Sequence, residues 1–219
     1  MTPDDFPKVF QILRSHRDRV GQASVTEISQ SHKRDPYRVL ISCLISLRTK
    51  DEVTAEASKR LFHLADTPGR MLRVPQATIA ETIFPAGFYR NKAATILEVS
   101  QTIIDKFHGN VPDNIEELLT LKGVGRKTAN LVVTLGFGKP GICVDTHVHR
   151  ITNRWGILAA STPDKTEQKL REILPKRYWI PINDLLVTYG RTLCKPISPL
   201  CSQCRISPFC LRVGVVHSR

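Results

Sequence analysis

The stretch CKPISPLCSQCRISPFC, Cys194 to Cys210, restricts this chain more than any other. Its cysteines follow the spacing C-x6-C-x2-C-x5-C. Four thiols this close in sequence can wrap one small centre. Pro196, Pro199 and Pro208 favour tight turns over helix between them. A structural zinc site usually uses two short C-x2-4-C knuckles, and only Cys201 and Cys204 form such a pair. A [4Fe–4S] cluster is larger and accepts four thiolates from unequal loops. The spacing therefore favours an iron–sulfur cluster over zinc, on Cys194, Cys201, Cys204 and Cys210. The remaining cysteines, Cys43 and Cys143, stand apart and read as small buried apolar residues.

Thiols kept for a metal centre imply a reducing compartment. The N-terminus MTPDDFPKVF has no apolar h-region and does not read as a secretory signal. No segment approaches the run of ~20 apolar residues that a membrane span needs. A cytoplasmic protein is expected, nucleoid-associated if prokaryotic, with no membrane partner. The formal net charge is +12 over 219 residues. An excess this large favours a polyanionic partner, nucleic acid first and an anionic membrane second.

The apolar pattern is helical almost throughout. Val39 to Leu47 is apolar on nearly every side and predicts a buried helix. Asp51 to Leu61 predicts a polar helix with contacts at Val53, Ala57 and Leu61. Ala93, Ile96, Leu97, Ser100, Ile103, Ile104 and Phe107 keep a helical period. Asp113 stands three residues before Glu116, as in a capping box, and predicts a helix running through Leu121 to stop at Gly123. A second helix is predicted from near Arg126 to about Phe137. Gly136, Gly138, Pro140 and Gly141 break it and mark a domain boundary near Lys139 to Gly141. Thr162-Pro163 reads as an N-cap with proline in the first turn, and Pro175 ends that helix. Another helix is expected over roughly Pro181 to Leu193. No convincing alternating strand and no repeat is evident, so the fold class is all-α.

Between two of these helices lies LKGVGRKTAN, Leu121 to Asn130. Gly123 and Gly125 let the backbone take positive φ and lie close to a partner. Val124 can plug into the core and fix the turn. Amide N–H groups at the second helix's N-terminus then form a nest for a phosphate oxygen. No side chain need read a base, so such contact is independent of sequence. Lys127 sits beside Arg126 at this terminus. The dipole, the neighbouring cation and partial burial would all disfavour its ammonium form, as a nucleophilic amine requires. Taken alone, it reads as one more phosphate contact. The stretch VDTHVHR supplies a carboxylate partner in Asp145, which could equally be an N-cap for a helix beginning at Thr146. His147 and His149 lack an evident third ligand and read as structural or DNA-contacting.

LKGVGRKTAN, VDTHVHR and the cysteine spacing occur in this order and at these distances. Together they resemble the endonuclease III family, the bifunctional DNA glycosylases of base-excision repair. The resemblance covers almost the whole chain. It implies a two-lobed helix-hairpin-helix DNA glycosylase fold with a C-terminal [4Fe–4S] loop. Residues 31–139 would form a six-helix lobe containing the hairpin. Residues 1–30 with 140–219 would form a second helical lobe carrying the cluster. The resemblance makes Lys127 the nucleophile and Asp145 its acidic partner. Cys194, Cys201, Cys204 and Cys210 become cluster ligands, and the cluster is not the catalyst. It implies removal of oxidised pyrimidines from duplex DNA, then strand cleavage by β-elimination, by a monomer acting on damaged bases or abasic sites.

Two further stretches match more loosely. SLRTKD, Ser46 to Asp51, falls where the family fills the gap left by a flipped nucleotide. Arg48 stands where many members have glutamine, and a guanidinium can hydrogen-bond or stack on an orphaned base. AGFYRNKA, Ala86 to Ala93, resembles the wedge loop, with Phe88 where leucine is common. Gly123, Val124, Gly125, Arg126, Arg48, Phe88 and His147 are thus the expected DNA contacts. CKPISPLC carries only Lys195, so its share in DNA binding is reduced relative to more basic relatives. The competing readings are a monofunctional mismatch glycosylase of the same superfamily and a non-catalytic iron–sulfur DNA-binding protein. The first usually needs a catalytic glutamate where LISCLISLRTKD offers only Asp51. The second needs no Lys127 and Asp145 pair.

Overall fold

The computed structural model describes residues 1–21 and 35–219. They are helical with turns, and no strand occurs among the described residues. The chain divides into two compact units, Met1–Ala23 with Ile142–Arg219, and Ser24–Gly141. The expected first boundary, between residues 30 and 31, lies outside the described residues.

Helix α1, Phe6–Val20, begins the first unit. The second unit is built around α2, Pro36–Ser46. Asp35 caps α2 with one carboxylate oxygen, which accepts from the amides of Tyr37 and Arg38 at 2.9 and 3.2 Å. Pro36 opens the helix without wasting a donor. Every residue from Val39 to Ile45 is buried, as the apolar run requires. Around α2 pack α3 (Asp51–Leu64) and, further along the chain, the long α6 (Tyr89–Phe107) and α8 (Arg126–Leu131). Between α3 and α6 come α4 (Pro68–Met71) and α5 (Gln76–Ile83). The hydroxyl of Tyr37 meets that of Ser100 on α6 at 2.7 Å, satisfying two buried polar groups.

The hairpin differs from expectation in its first arm. Helix α7 is only Ile115–Leu118, and its cap is Asn114, not Asp113. Asn114 Oδ1 accepts from Glu117 N at 2.9 Å, and its amide group donates to the Glu117 carboxylate at 2.7 Å. The cap is therefore displaced by one residue, and its second bond runs between side chains instead of closing a capping box. Asp113 instead pairs with Lys139 Nζ at 2.6 Å. Past Leu118 the chain turns rather than continuing to Leu121. Helix α8 runs on into a π-helical turn, Val132–Gly136.

In the first unit, α11 (Ile182–Thr192) packs against α1 and against α9 (Thr146–Trp155), and α9 packs against α10 (Pro163–Ile173). Phe6, Val9, Phe10 and Leu13 of α1 share a core with Val148, Ile151, Trp155, Leu185 and Tyr189. Phe10 stacks on Tyr178 with ring centroids 4.0 Å apart. Thr162 Oγ1 accepts from Lys165 N, so the predicted Thr-Pro start of α10 is present. Among the described residues, no helix is long and apolar enough to cross a membrane.

Candidate functional site

The hairpin turn rests on one strained position. Gly123 has φ +75°, where a side chain is disfavoured, and a Cβ there would press on Thr95 and Leu44. Gly125 corrects the expectation: its φ is −94°, extended backbone open to any residue. It serves as the N-cap of α8 with no side-chain cap, and nothing lies within 4 Å of where its Cβ would be. That openness leaves the terminus approachable by a ligand's phosphate. Val124 is 7% exposed and its amide donates to Leu121 O at 3.1 Å, so it pins the turn to the core. Thr128 to Leu131 point inward and are buried, which leaves Arg126 half-buried and Lys127 exposed. Partial burial therefore does not act on Lys127. Beneath it lies Cys43 of α2, whose thiol is pushed up to about 12 by burial, opposed by the charge of Lys127.

The same unit brings Arg48 and Phe88 together. Both have left-handed backbone, at φ +53° and +57°, in the loop after α2 and at the N-cap of α6. The Arg48 guanidinium lies over the Phe88 ring at 5.6 Å from its centroid. Phe88 is 60% exposed, a large aromatic presented to solvent. Gly87 allows the close approach of the two loops, since a Cβ there would stand 2.6 Å from Arg48 O.

Sequence reading passed over Lys92. It projects from the first turn of α6 into the loop after α2 and is only 7% exposed. Its Nζ donates to Ile45 O and Leu47 O, each at 2.6 Å, and to Thr49 Oγ1 at 2.7 Å. Thr49 Oγ1 also accepts from Gly87 N at 3.1 Å. Burial pushes the Lys92 ammonium down to about 8, while three acceptors at hydrogen-bond distance favour the charged form. It is cationic at neutral pH and fully engaged, so it is no rival to Lys127 as a nucleophile. The signal available in sequence was its register: Lys92 falls on the buried face with Ala93, Ile96 and Val99.

In the other unit, Asp145 is the N-cap of α9. One carboxylate oxygen accepts from His147 N and Val148 N, each at 2.9 Å. His147 Nδ1 lies 3.1 Å from Arg150 Nη2. Gly190 makes room for this ring, because a Cβ there would fall 2.3 Å from His147 Nδ1. His149 faces Thr166 Oγ1 at 2.7 Å and acts as a structural tie to α10.

Cys194, Cys201, Cys204 and Cys210 line one cavity with Arg154, Tyr189 and Arg212. Among the described residues, no three His, Cys, Asp or Glu side chains converge tightly enough for a single metal ion. The cysteines surround a space instead of a point. Donors are aimed at the sulfurs. Arg154 Nη1 lies 3.3 Å from Cys194 Sγ, the Tyr189 hydroxyl 3.2 Å from Cys204 Sγ, and Arg212 N 3.4 Å from Cys210 Sγ. Arg154 is itself fixed by the carbonyls of Lys195 and Pro196 at 2.7 and 2.6 Å. A donor set of four thiols ringed by N–H and O–H groups fits a multi-iron cluster better than one ion.

The all-helical fold, the glycine hairpin and the basic terminus behind it define a helix-hairpin-helix repair protein. Residues 41–176 match the HhH-GPD superfamily of base excision DNA repair proteins. The chain belongs to the endonuclease III family within it, and it is a base-excision DNA glycosylase. It is 45% identical over 194 residues to endonuclease III of Thermotoga maritima, covering 88% of this chain and 91% of that protein. It is 37% identical over 207 residues to endonuclease III-like protein 1 of Mus musculus, covering 91% and 69%. Its fold resembles a non-covalent endonuclease III–DNA complex with TM-score 0.80 and 33% identity, covering 96% and 95% of the two chains. A trapped endonuclease III–DNA covalent intermediate gives TM-score 0.75 at 38% identity, covering 81% and 84%.

Proposed function

We propose that this chain excises oxidised pyrimidines from duplex DNA and then cleaves the abasic strand through a Schiff base on Lys127. The observation that carries the reading is Lys127 itself, exposed in the first turn of α8, immediately after an uncapped glycine terminus. A 38% identical relative forms a covalent intermediate with DNA, which supports an amine nucleophile.

The target nucleotide leaves the base stack, because its sugar cannot be attacked within it. Gly123, Val124, Gly125 and Arg126 hold a backbone phosphate. Arg48 and Phe88 occupy the vacated stack, and His147 contacts the strand. Lys127 Nζ, as the free amine, attacks C1′ while the glycosidic bond breaks and the base departs with the bonding pair. Asp145 accepts the ammonium proton and stabilises positive charge developing on the sugar. Opening of the sugar ring gives the iminium. Loss of a C2′ proton then expels the 3′ phosphate oxygen, and water releases Lys127. Cys194, Cys201, Cys204 and Cys210 would hold a [4Fe–4S] cluster. When bound, that group supplies a structural cross-link of the C-terminal loop. The partner is damaged duplex DNA, and the protein acts as a monomer.

Borohydride reduction during reaction with an oxidised-pyrimidine duplex tests this. A covalent protein–DNA adduct is expected, and its absence from the wild-type protein sinks the lyase reading. Asp145 gives a sharper test because its two jobs separate. Asn caps helices as well as Asp, so Asp145→Asn should keep the melting temperature yet slow base removal by roughly 10²–10³-fold. Asp145→Ala should lose the same activity and also about 1 kcal/mol of stability. Equal activity in Asp145→Asn and wild type, by single-turnover kinetics, removes the carboxylate from the mechanism.

A further inference from the structure

We propose that Lys92 is a positioning residue that ties the loop bearing Arg48 to the turn bearing Phe88, so that the two side chains enter the duplex as one rigid probe. The inference rests on the function proposed above.

The geometry carries it. One ammonium group spends its three donors on the end of α2 and the loop after it, at Ile45 O, Leu47 O and Thr49 Oγ1. Two of these acceptors flank Arg48 in sequence. One of these two, Thr49 Oγ1, passes the link to Gly87 N, adjacent to Phe88. Lys92 itself sits one helical turn after Phe88 and its backbone amide donates to Phe88 O at 3.0 Å. The one side chain is therefore anchored to the Phe88 turn at its base and to the Arg48 loop at its tip. Arg48 and Phe88 both hold left-handed backbone that non-glycine residues adopt only when their surroundings impose it. Losing the ammonium would take this donor from the carbonyls of Ile45 and Leu47, leave Thr49 Oγ1 with Gly87 N alone, and free the loop to relax.

A structural role and a positioning role predict different losses. Filling a vacated base stack is needed in duplex DNA. It is not needed when an abasic site is already present in a single strand. The test compares Lys92→Met, Thr49→Val and Thr49→Ser with wild type on two substrates. One is a duplex with an oxidised pyrimidine, and the other is a single-stranded oligonucleotide with a preformed abasic site. Lys92→Met should slow duplex excision by about 10²-fold, the scale expected when a reacting geometry shifts by an ångström. Borohydride trapping on the single strand should stay at the wild-type rate. Thr49→Val should show the same split more mildly, and Thr49→Ser, which keeps the hydroxyl, should restore duplex excision. If Lys92→Met does not fold, the Thr49 pair decides. Wild-type duplex excision in both Lys92→Met and Thr49→Val overturns the proposal, as does equal loss on both substrates in folded variants. Wild-type protein inactive on both substrates instead refutes the function it rests on.

Discussion

Lys127→Gln is expected to abolish the borohydride-trapped adduct while leaving the fold intact. Glutamine matches lysine in helix propensity, and Lys127 is exposed in the first turn of α8, so the melting temperature should hold. What disappears is an amine able to form a bond to C1′. Strand cleavage should fall by roughly 10³-fold or more, the scale of losing a covalent nucleophile. Lys127→Arg should fail equally, because a guanidinium is not deprotonated in proteins and cannot form a Schiff base. The control is Lys122→Gln. Lys122 is a surface lysine of the same turn, paired with Glu98 on α6. An exposed pair of this kind adds little stability, and the adduct should form at the wild-type rate. An adduct that persists in Lys127→Gln places the bond on another amine, and the reading of the hairpin as catalytic fails.

Much of the helical frame was legible because its signals are local. The apolar run of α2, the periodic face of α6 and the Thr162-Pro163 start of α10 each lie within one or two turns of sequence. The cap, named as the alternative for Asp145, was legible for the same reason: its acceptor serves amides two and three residues on. The errors arose where a distant group decided between equal local options. Asp113 and Asn114 both suit a cap, and the pairing of Asp113 with Lys139 is what leaves the role to Asn114. Gly125 looked like a second positive-φ glycine, but one left-handed residue at Gly123 completes the turn. Partial burial, weighed for Lys127 as one means of disfavouring its ammonium form, occurs instead at Lys92. The register of Lys92 on the buried face of α6 was the local signal, but the acceptors that make its enclosure possible, at Ile45 and Leu47, lie more than 40 residues away in sequence.

Cys204→Ser should release iron and destabilise the unit formed by the two ends of the chain. Wild-type protein should be brown and carry iron, not zinc, on elemental analysis. Four cysteines line one cavity, and a cluster held there would leave an iron open to water for each ligand removed. The energetic consequence follows from where that cavity lies. Tyr189 belongs to the core of α1, α9 and α11, and its hydroxyl touches Cys204 Sγ at 3.2 Å. Trp155 and Leu193 line the same cavity. A group bound only by the folded state stabilises it by about 4 kcal/mol when present at a thousand times its dissociation constant. For a chain of this size that corresponds to roughly 8–16 °C in Tm. Chelation of iron from the wild-type protein should lower Tm by a similar amount. Cys43→Ala is the control: Cys43 is buried under the hairpin in the other unit and should keep the full iron content. Zinc in the purified wild-type protein, or full iron content in Cys204→Ser, would rule out a four-cysteine iron–sulfur cluster. Because the proposed cluster would take no part in the proposed reaction, residual folded Cys204→Ser should still give a borohydride adduct through Lys127. This separates loss of a structural cross-link from loss of catalysis.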